Sequence, residues 1–179
     1  MIGLKRGTVA LEPHQAEWEE NAKETITQLK AVLGDTAVDI QHIGSTSLRT
    51  ISAKPIIDLA IGVRALDDIK AMIDELEKVN VIFRGQDHPE QLLFVKGDFE
   101  KDTRTHHIHT VVWGGESWVN YVNFRDYLNA FPEKAAQYDA LKRDLLANYA
   151  EDRGSYTSGK QTLIDTLLAE ARAWRESTK

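Results

Sequence analysis

Apolar residues recur along the chain with two different periods, and the changes of period mark out its elements. Trp18, Ala22, Ile26, Leu29 and Leu33 keep helical spacing, and Gly34 closes that helix. The next runs differ. VDIQHI (38–43) and PIIDLAIGV (55–63) are short, rich in β-branched residues and bounded by small polar ones, so both read as buried strands. Helical spacing returns at Leu66, Ile69, Ile73 and Leu76. VIFRG, QLLFVKG and THHIHTVVWG, within residues 81–114, predict three further strands separated by polar turns, and a short strand is expected at Thr8 to Leu11. Beyond Gly114 and Gly115 the pattern is helical, in segments 117–131, 132–152 and 155–174. Pro132 suits a helix start because it has no N–H to leave unpaired. No repeat, low-complexity tract or flexible linker interrupts the sequence. The expected architecture is α+β: one domain over residues 1–179, with a mixed sheet flanked by helices and a helical C-terminal third.

Composition narrows the function classes. A chain of 179 residues, 42% hydrophobic and 28% charged, can bury one substantial core and is neither disordered nor fibrous in character. A net charge of −6 argues against nonspecific DNA binding, which needs a basic surface, but leaves room for a local basic pocket. The absence of cysteine rules out disulfides, thiolate metal sites and thiol nucleophiles. MIGLKRGTVAL lacks the apolar core of a signal peptide, and no stretch approaches the roughly 20 apolar residues of a membrane span. No membrane association is expected, and a cytoplasmic location is the default.

Between the first two strands lies HIGSTS (42–47), followed by a lone carboxylate, Asp58, inside an apolar run. Glycine lets backbone N–H groups approach a phosphate closely, so Gly44 with Ser45, Thr46 and Ser47 forms a candidate phosphate cradle. Asp58 would be costly to bury without a partner, such as a metal ion or Lys54. The plainer alternative is a serine-rich turn and a strand-end aspartate bonded to backbone. His107 and His109 alternate on a predicted strand and point to one face, His106 to the other. With His42 they could converge on Asp58 as a nitrogen and oxygen site suited to zinc, manganese or iron better than to magnesium, or they could be ordinary strand histidines. A histidine-triad hydrolase would need a third alternating histidine, and that position is Val111.

In the helical third, an Arg125 turned toward the sheet could bind phosphate bidentately, and one turned outward would be surface charge. Tyr156 and Lys160 are four apart and share a helix face, making with Lys142 a candidate basic wall opposite Asp58; as single residues, helix lysines are more often simply solvated. The tryptophans read as core or core-edge packing rather than base-stacking platforms.

Taken in order, HIGSTS, KPIIDL, HHIHTVV, FRDYL and the late Tyr156 to Lys160 segment resemble the GrpB-like proteins of the nucleotidyltransferase superfamily, across nearly the full chain. The resemblance implies a fold like that of DNA polymerase β, with Gly44 and Ser45 at the triphosphate-binding turn and Asp58 as the first carboxylate for magnesium. It also implies that Arg125, Lys142, Tyr156 and Lys160 occupy recurring positions. One departure matters: the second carboxylate position is Ala60, and two-metal transfer needs acidic oxygens for ions about 3.5–4 Å apart. Two functions follow as expectations. One is binding of a nucleotide or other phosphorylated small molecule with metal-dependent nucleotidyl transfer, in which Asp58, His107 and His109 are catalytic and a divalent ion (magnesium, manganese or zinc) is held by Asp58, His42, His107 and His109. The other is a noncatalytic ligand-binding or accessory domain, in keeping with the fusion of some resembling chains to a coenzyme A biosynthesis kinase.

Overall fold

Side chains alternate across a strand, so the parity of each position decides which layer it joins. The computed structural model describes residues 1–149 and 152–179. Its strands are β1 (Leu4–Lys5), β2 (Asp39–Ile43), β3 (Ile57–Val63), β4 (Ile82–His88), β5 (Gln91–Lys96), β6 (Thr103–Arg104) and β7 (His106–Val112). The helices are α1 (Ala16–Leu33), α2 (Leu66–Lys70), α3 (Ile73–Glu77), α4 (Glu116–Ala130), α5 (Pro132–Tyr149), α6 (Arg153–Gly159) and α7 (Gln161–Ser177).

Five strands form a mixed sheet in the order β2-β3-β7-β5-β4, with β3 and β7 parallel at its centre and the other pairs antiparallel. Leu59, Ile61, Val63, Phe94 and Ile108 turn to one face and bury against Trp18, Ala22, Leu29 and Leu33 of α1, with Ile69 and Leu76 of α2 and α3. The opposite face is thinner in apolar cover. Ile43, Ala60 and Val111 meet Trp118 of α4, and a separate cluster of Leu48, Ile51, Leu128, Tyr138 and Leu167 holds the C-terminal helices together. The mixed α/β architecture with a helical C-terminal third is that expected. Among the described residues no helix is long and apolar enough to cross a membrane.

Local departures have identifiable causes. No strand forms at Thr8 to Leu11; β1 lies earlier, paired with β6, while Glu12 bridges Ala53 through two backbone hydrogen bonds. The helix expected from Leu66 to Leu76 is two short ones, because Met72 leaves helical geometry at φ −101° and ψ 4°. The segment 155–174 divides at Lys160 into α6 and α7. The helix expected over 132–152 runs from Pro132 to Tyr149, and Ala150 and Glu151 lie outside the described residues. Trp18, Trp118 and Trp174 pack in or beside cores, but Trp113 is 51% exposed just past β7.

Candidate phosphate-binding site

β2 ends at Ile43, and the chain turns at Gly44 with φ +69°, a conformation that L side chains rarely adopt. A Cβ there would lie 2.6 Å from Asp58 Oδ2, so the backbone packs directly on the carboxylate. Ser45–Ser47 forms one 3-10 turn, in which the Ser47 N–H and hydroxyl both donate to the Gly44 carbonyl, at 3.1 and 2.6 Å. Ser47 is therefore spent within the turn.

The register of β3 with β7 sets Asp58 beside His107 and Ala60 beside His109. Asp58 Oδ1 lies 3.6 Å from His107 Nδ1 and 3.4 Å from His109 Nε2, and the carboxylate is 28% exposed. Burial alone would raise this carboxyl; hydrogen bonding and charge from His107 and His109 overcome that and hold it well below the ordinary carboxylate range. His109 also stacks on Tyr121 at 5.4 Å, and its Nδ1 is buried with no hydrogen-bond partner.

Opposite Asp58 stand the cations of the helical third. Lys142 is 2% exposed, donates to the Ser52 carbonyl and lies 3.8 Å from Asp139 Oδ1; burial lowers its pKa to about 8. Lys54 and Lys160 each lie 4.7 Å from the Tyr156 ring centroid, a cation–π geometry that places two ammonium groups at one aromatic. Together Gly44, Ser45, Thr46, Lys54, Asp58, His107, Lys142, Tyr156 and Lys160 line one cavity of about 250 Å³. Among the described residues, three lysines and one carboxylate line it.

Two expected members lie elsewhere. The antiparallel register puts Ile43, not His42, opposite Asp58, so His42 faces the α1 side of the sheet. There its Nε2 meets Thr46 Oγ1 at 2.9 Å, and burial lowers its pKa to about 4. Arg125 turns toward the sheet but ends on protein: its Nη1 donates to Gln41 Oε1 at 2.7 Å and to the His42 carbonyl at 3.0 Å, and its Nε to Asp126 at 2.8 Å. It braces β2 and does not line the cavity. Neither does His109, which reaches the site only through Asp58.

A metal ion would need donor atoms converging at about 2.0–2.2 Å. With His42 on the other face, no group of three or more His, Asp or Glu side chains among the described residues is placed to hold one. Asp58 is instead a carboxylate flanked by two imidazoles. The cavity also contains residues that sequence reasoning passed over: Phe124, Tyr138 and Thr157. Tyr138 had a usable signal, since it lies four residues before Lys142 on α5 and so shares its face; the Lys142 ammonium is 4.9 Å from its ring.

A family model described as "GrpB protein" matches residues 8–170. The glutamate-rich protein GrpB of Alkalihalophilus pseudofirmus is 35% identical over 173 residues, covering 95% of this chain and 99% of that protein. The crystal structure of the conserved protein GrpB from Enterococcus faecalis superimposes with a TM-score of 0.83 at 27% identity, covering 92% of this chain and 99% of that one. A cytoplasmic RNA terminal U-transferase aligns with a TM-score of 0.53 at 11% identity, over 78% of this chain and 41% of its own. At that identity the likeness shows a nucleotidyltransferase-like fold and nothing finer.

Proposed function

The chain belongs to the GrpB family, and from that premise we propose that it binds a nucleotide or other phosphorylated small molecule in the cavity between the Gly44 turn, Asp58 and the lysines. One observation carries this: residues from separate parts of the chain converge so that, among the described residues, three lysines and a hydroxyl-rich turn line one cavity with the ionised Asp58 carboxylate. The Ser45 hydroxyl would hold a phosphate oxygen, the Thr46 hydroxyl being engaged by His42, and Lys54, Lys142 and Lys160 would neutralise the ligand's charge.

Asp58 would repel a phosphate unless a cation lay between them. Magnesium and manganese are commonly held by one or two carboxylates together with the phosphates of a substrate. Since the described residues offer no set of three donors, a divalent ion here would be shared between Asp58 and the ligand. In the enzymatic form of the proposal, an acceptor hydroxyl attacks the α-phosphorus of a nucleoside triphosphate and pyrophosphate leaves. A second reading, a noncatalytic ligand-binding or accessory domain, is favoured by Ala60: it is fully buried against Ile43, Val111 and Trp118 and supplies no carboxylate for a second ion.

The test is a thermal-shift panel of nucleoside triphosphates, coenzyme A precursors and sugar phosphates, each with magnesium, manganese or zinc, on wild type, Asp58→Asn and Lys160→Ala. A ligand at about a hundred times its dissociation constant adds roughly 2.7 kcal/mol. A shift that Lys160→Ala reduces and whose metal dependence Asp58→Asn removes supports the site. Pyrophosphate release with that ligand would select the enzyme, and binding without turnover the accessory domain. A folded protein that no ligand shifts would sink both.

A further inference from the structure

A second cavity, of about 310 Å³, opens beside the first on the same face of the sheet, and the two share Lys54, Ile56 and His107 in their walls. Its character is more strongly basic. Lys5, Arg6, Lys54, Arg84 and Arg104 line it and, among the described residues, no acidic side chain does, in a chain whose acidic residues outnumber its basic ones by 28 to 22. These cations come from distant parts of the sequence. β1 and the turn after it are strapped across β6, with Leu4 paired to Arg104 and the Arg6 N–H donating to the Asp102 carbonyl at 2.9 Å.

Two of the guanidinium groups are held in place. Arg84 has no partner on β5: Phe83 pairs with Phe94 and Gly85 with Leu93, which leaves Arg84 in a bulge of the kind that re-aims a side chain. Arg84 and Arg104 both lie over the Phe99 ring, at 5.4 and 4.7 Å from its centroid. Arg104 is 12% exposed and is also fixed by Asp102, 3.5 Å away, and by the Thr103 carbonyl. Like charges gathered this closely repel one another in the absence of an anion, and preset guanidinium forks match phosphate oxygens. Leu93 and Val95 give the cavity an apolar floor beside them.

We infer that this cavity is a second anion-binding site, for a small phosphorylated molecule distinct from the ligand of the lysine-lined cavity, and that the two ligands approach each other at His107. As a binding site it stands on its own lining; as the seat of a co-substrate it rests on the function proposed above. Its volume, its closure by the β1–β6 strap and the acidic balance of the chain favour a small molecule over a nucleic acid strand.

Isothermal titration of the full chain with inorganic pyrophosphate in magnesium-containing buffer tests this. Wild type is expected to take up two equivalents. Lys5→Glu with Arg84→Glu, both exposed positions, should lose one with at least tenfold weakening, and Lys160→Glu should lose the other. The neutral pair Lys5→Gln with Arg84→Gln, checked for an unchanged melting midpoint, replaces the charge reversal if that variant does not fold. A single equivalent untouched by either Arg84 variant overturns the second site. A single equivalent lost with Arg84 and kept in Lys160→Glu upholds it and counts against the lysine-lined cavity instead. Binding of a short single-stranded RNA that depends on Arg84, with no pyrophosphate taken up there, overturns the small-molecule assignment.

Discussion

Both faces of the central sheet carry histidine, and the two faces use it differently. On the α1 side, His106 is 3% exposed, with Nε2 3.0 Å from Thr25 Oγ1 and Nδ1 2.9 Å from Thr105 Oγ1; His42, on the same side, meets Thr46. These imidazoles are satisfied by hydroxyls inside a packed layer, and burial lowers both pKa values to about 4. One residue further along β7, His107 looks the other way, onto Asp58 and a cavity. Neighbouring positions on one strand thus divide between a packed layer and a cavity, and a shift of one residue in register would exchange them.

The sharpest way to break this division is at Gly44, where the chain passes from the His42 side to the Asp58 side. Gly44→Ala forces a Cβ into a left-handed conformation and against Asp58 Oδ2. Strain and overpacking together should cost about 2–4 kcal/mol, read from the denaturant midpoint, and should abolish any ligand-induced shift. Unchanged stability would mean that the turn does not rest on the carboxylate.

Acid should act mainly through the packed face. Because His42 and His106 titrate near 4 when folded and near 6.5 when unfolded, the unfolded chain takes up protons between those values that the folded chain does not. Stability should therefore be full above about pH 6.5 and fall as pH drops toward 4, by on the order of 2–3 kcal/mol for each group. Urea melts at pH 7 and pH 4.5 measure this. His106→Gln should flatten the slope, and an equal slope in the variant would relocate the effect.

Much of the fold was legible because period and parity are local. The alternation of His106, His107 and His109 on β7 placed each on its correct face before any partner was known. His42 was misplaced because strand register is a long-range property: nothing in HIGSTS says that Ile43, rather than His42, faces Asp58. Arg125 was ambiguous for a related reason, since α4 has apolar and polar residues on every side and no clear stripe to fix its orientation. The second basic cavity was invisible, because its cations belong to strands and turns brought together only by β1 pairing with β6 and by the bulge at Arg84.

Arg125 gives a smaller but cleaner discrimination between brace and ligand contact. Arg125→Met removes donors to Gln41 and to the His42 carbonyl, and should cost about 1–2 kcal/mol while leaving ligand affinity within twofold. An arginine that binds phosphate would show the reverse, a stable variant with weakened binding.

Lys142 separates the two readouts, because there stability and affinity should move in opposite directions. Its pKa is lowered by burial to about 8, against 10.5 for the unfolded chain, so between those values the unfolded lysine binds a proton that the folded one has released. Raising the pH from 8 toward 10.5 therefore adds to stability from this group. The same proton loss strips a cation from the wall facing Asp58, so affinity for a phosphorylated ligand should fall several-fold over that range. Lys142→Met should abolish both trends, at the cost of leaving the Ser52 carbonyl without its ammonium donor. If affinity is flat with pH while stability still rises, Lys142 is a buried strut between α5 and the Ser52 loop, and the charge that holds the ligand must come from Lys54 and Lys160.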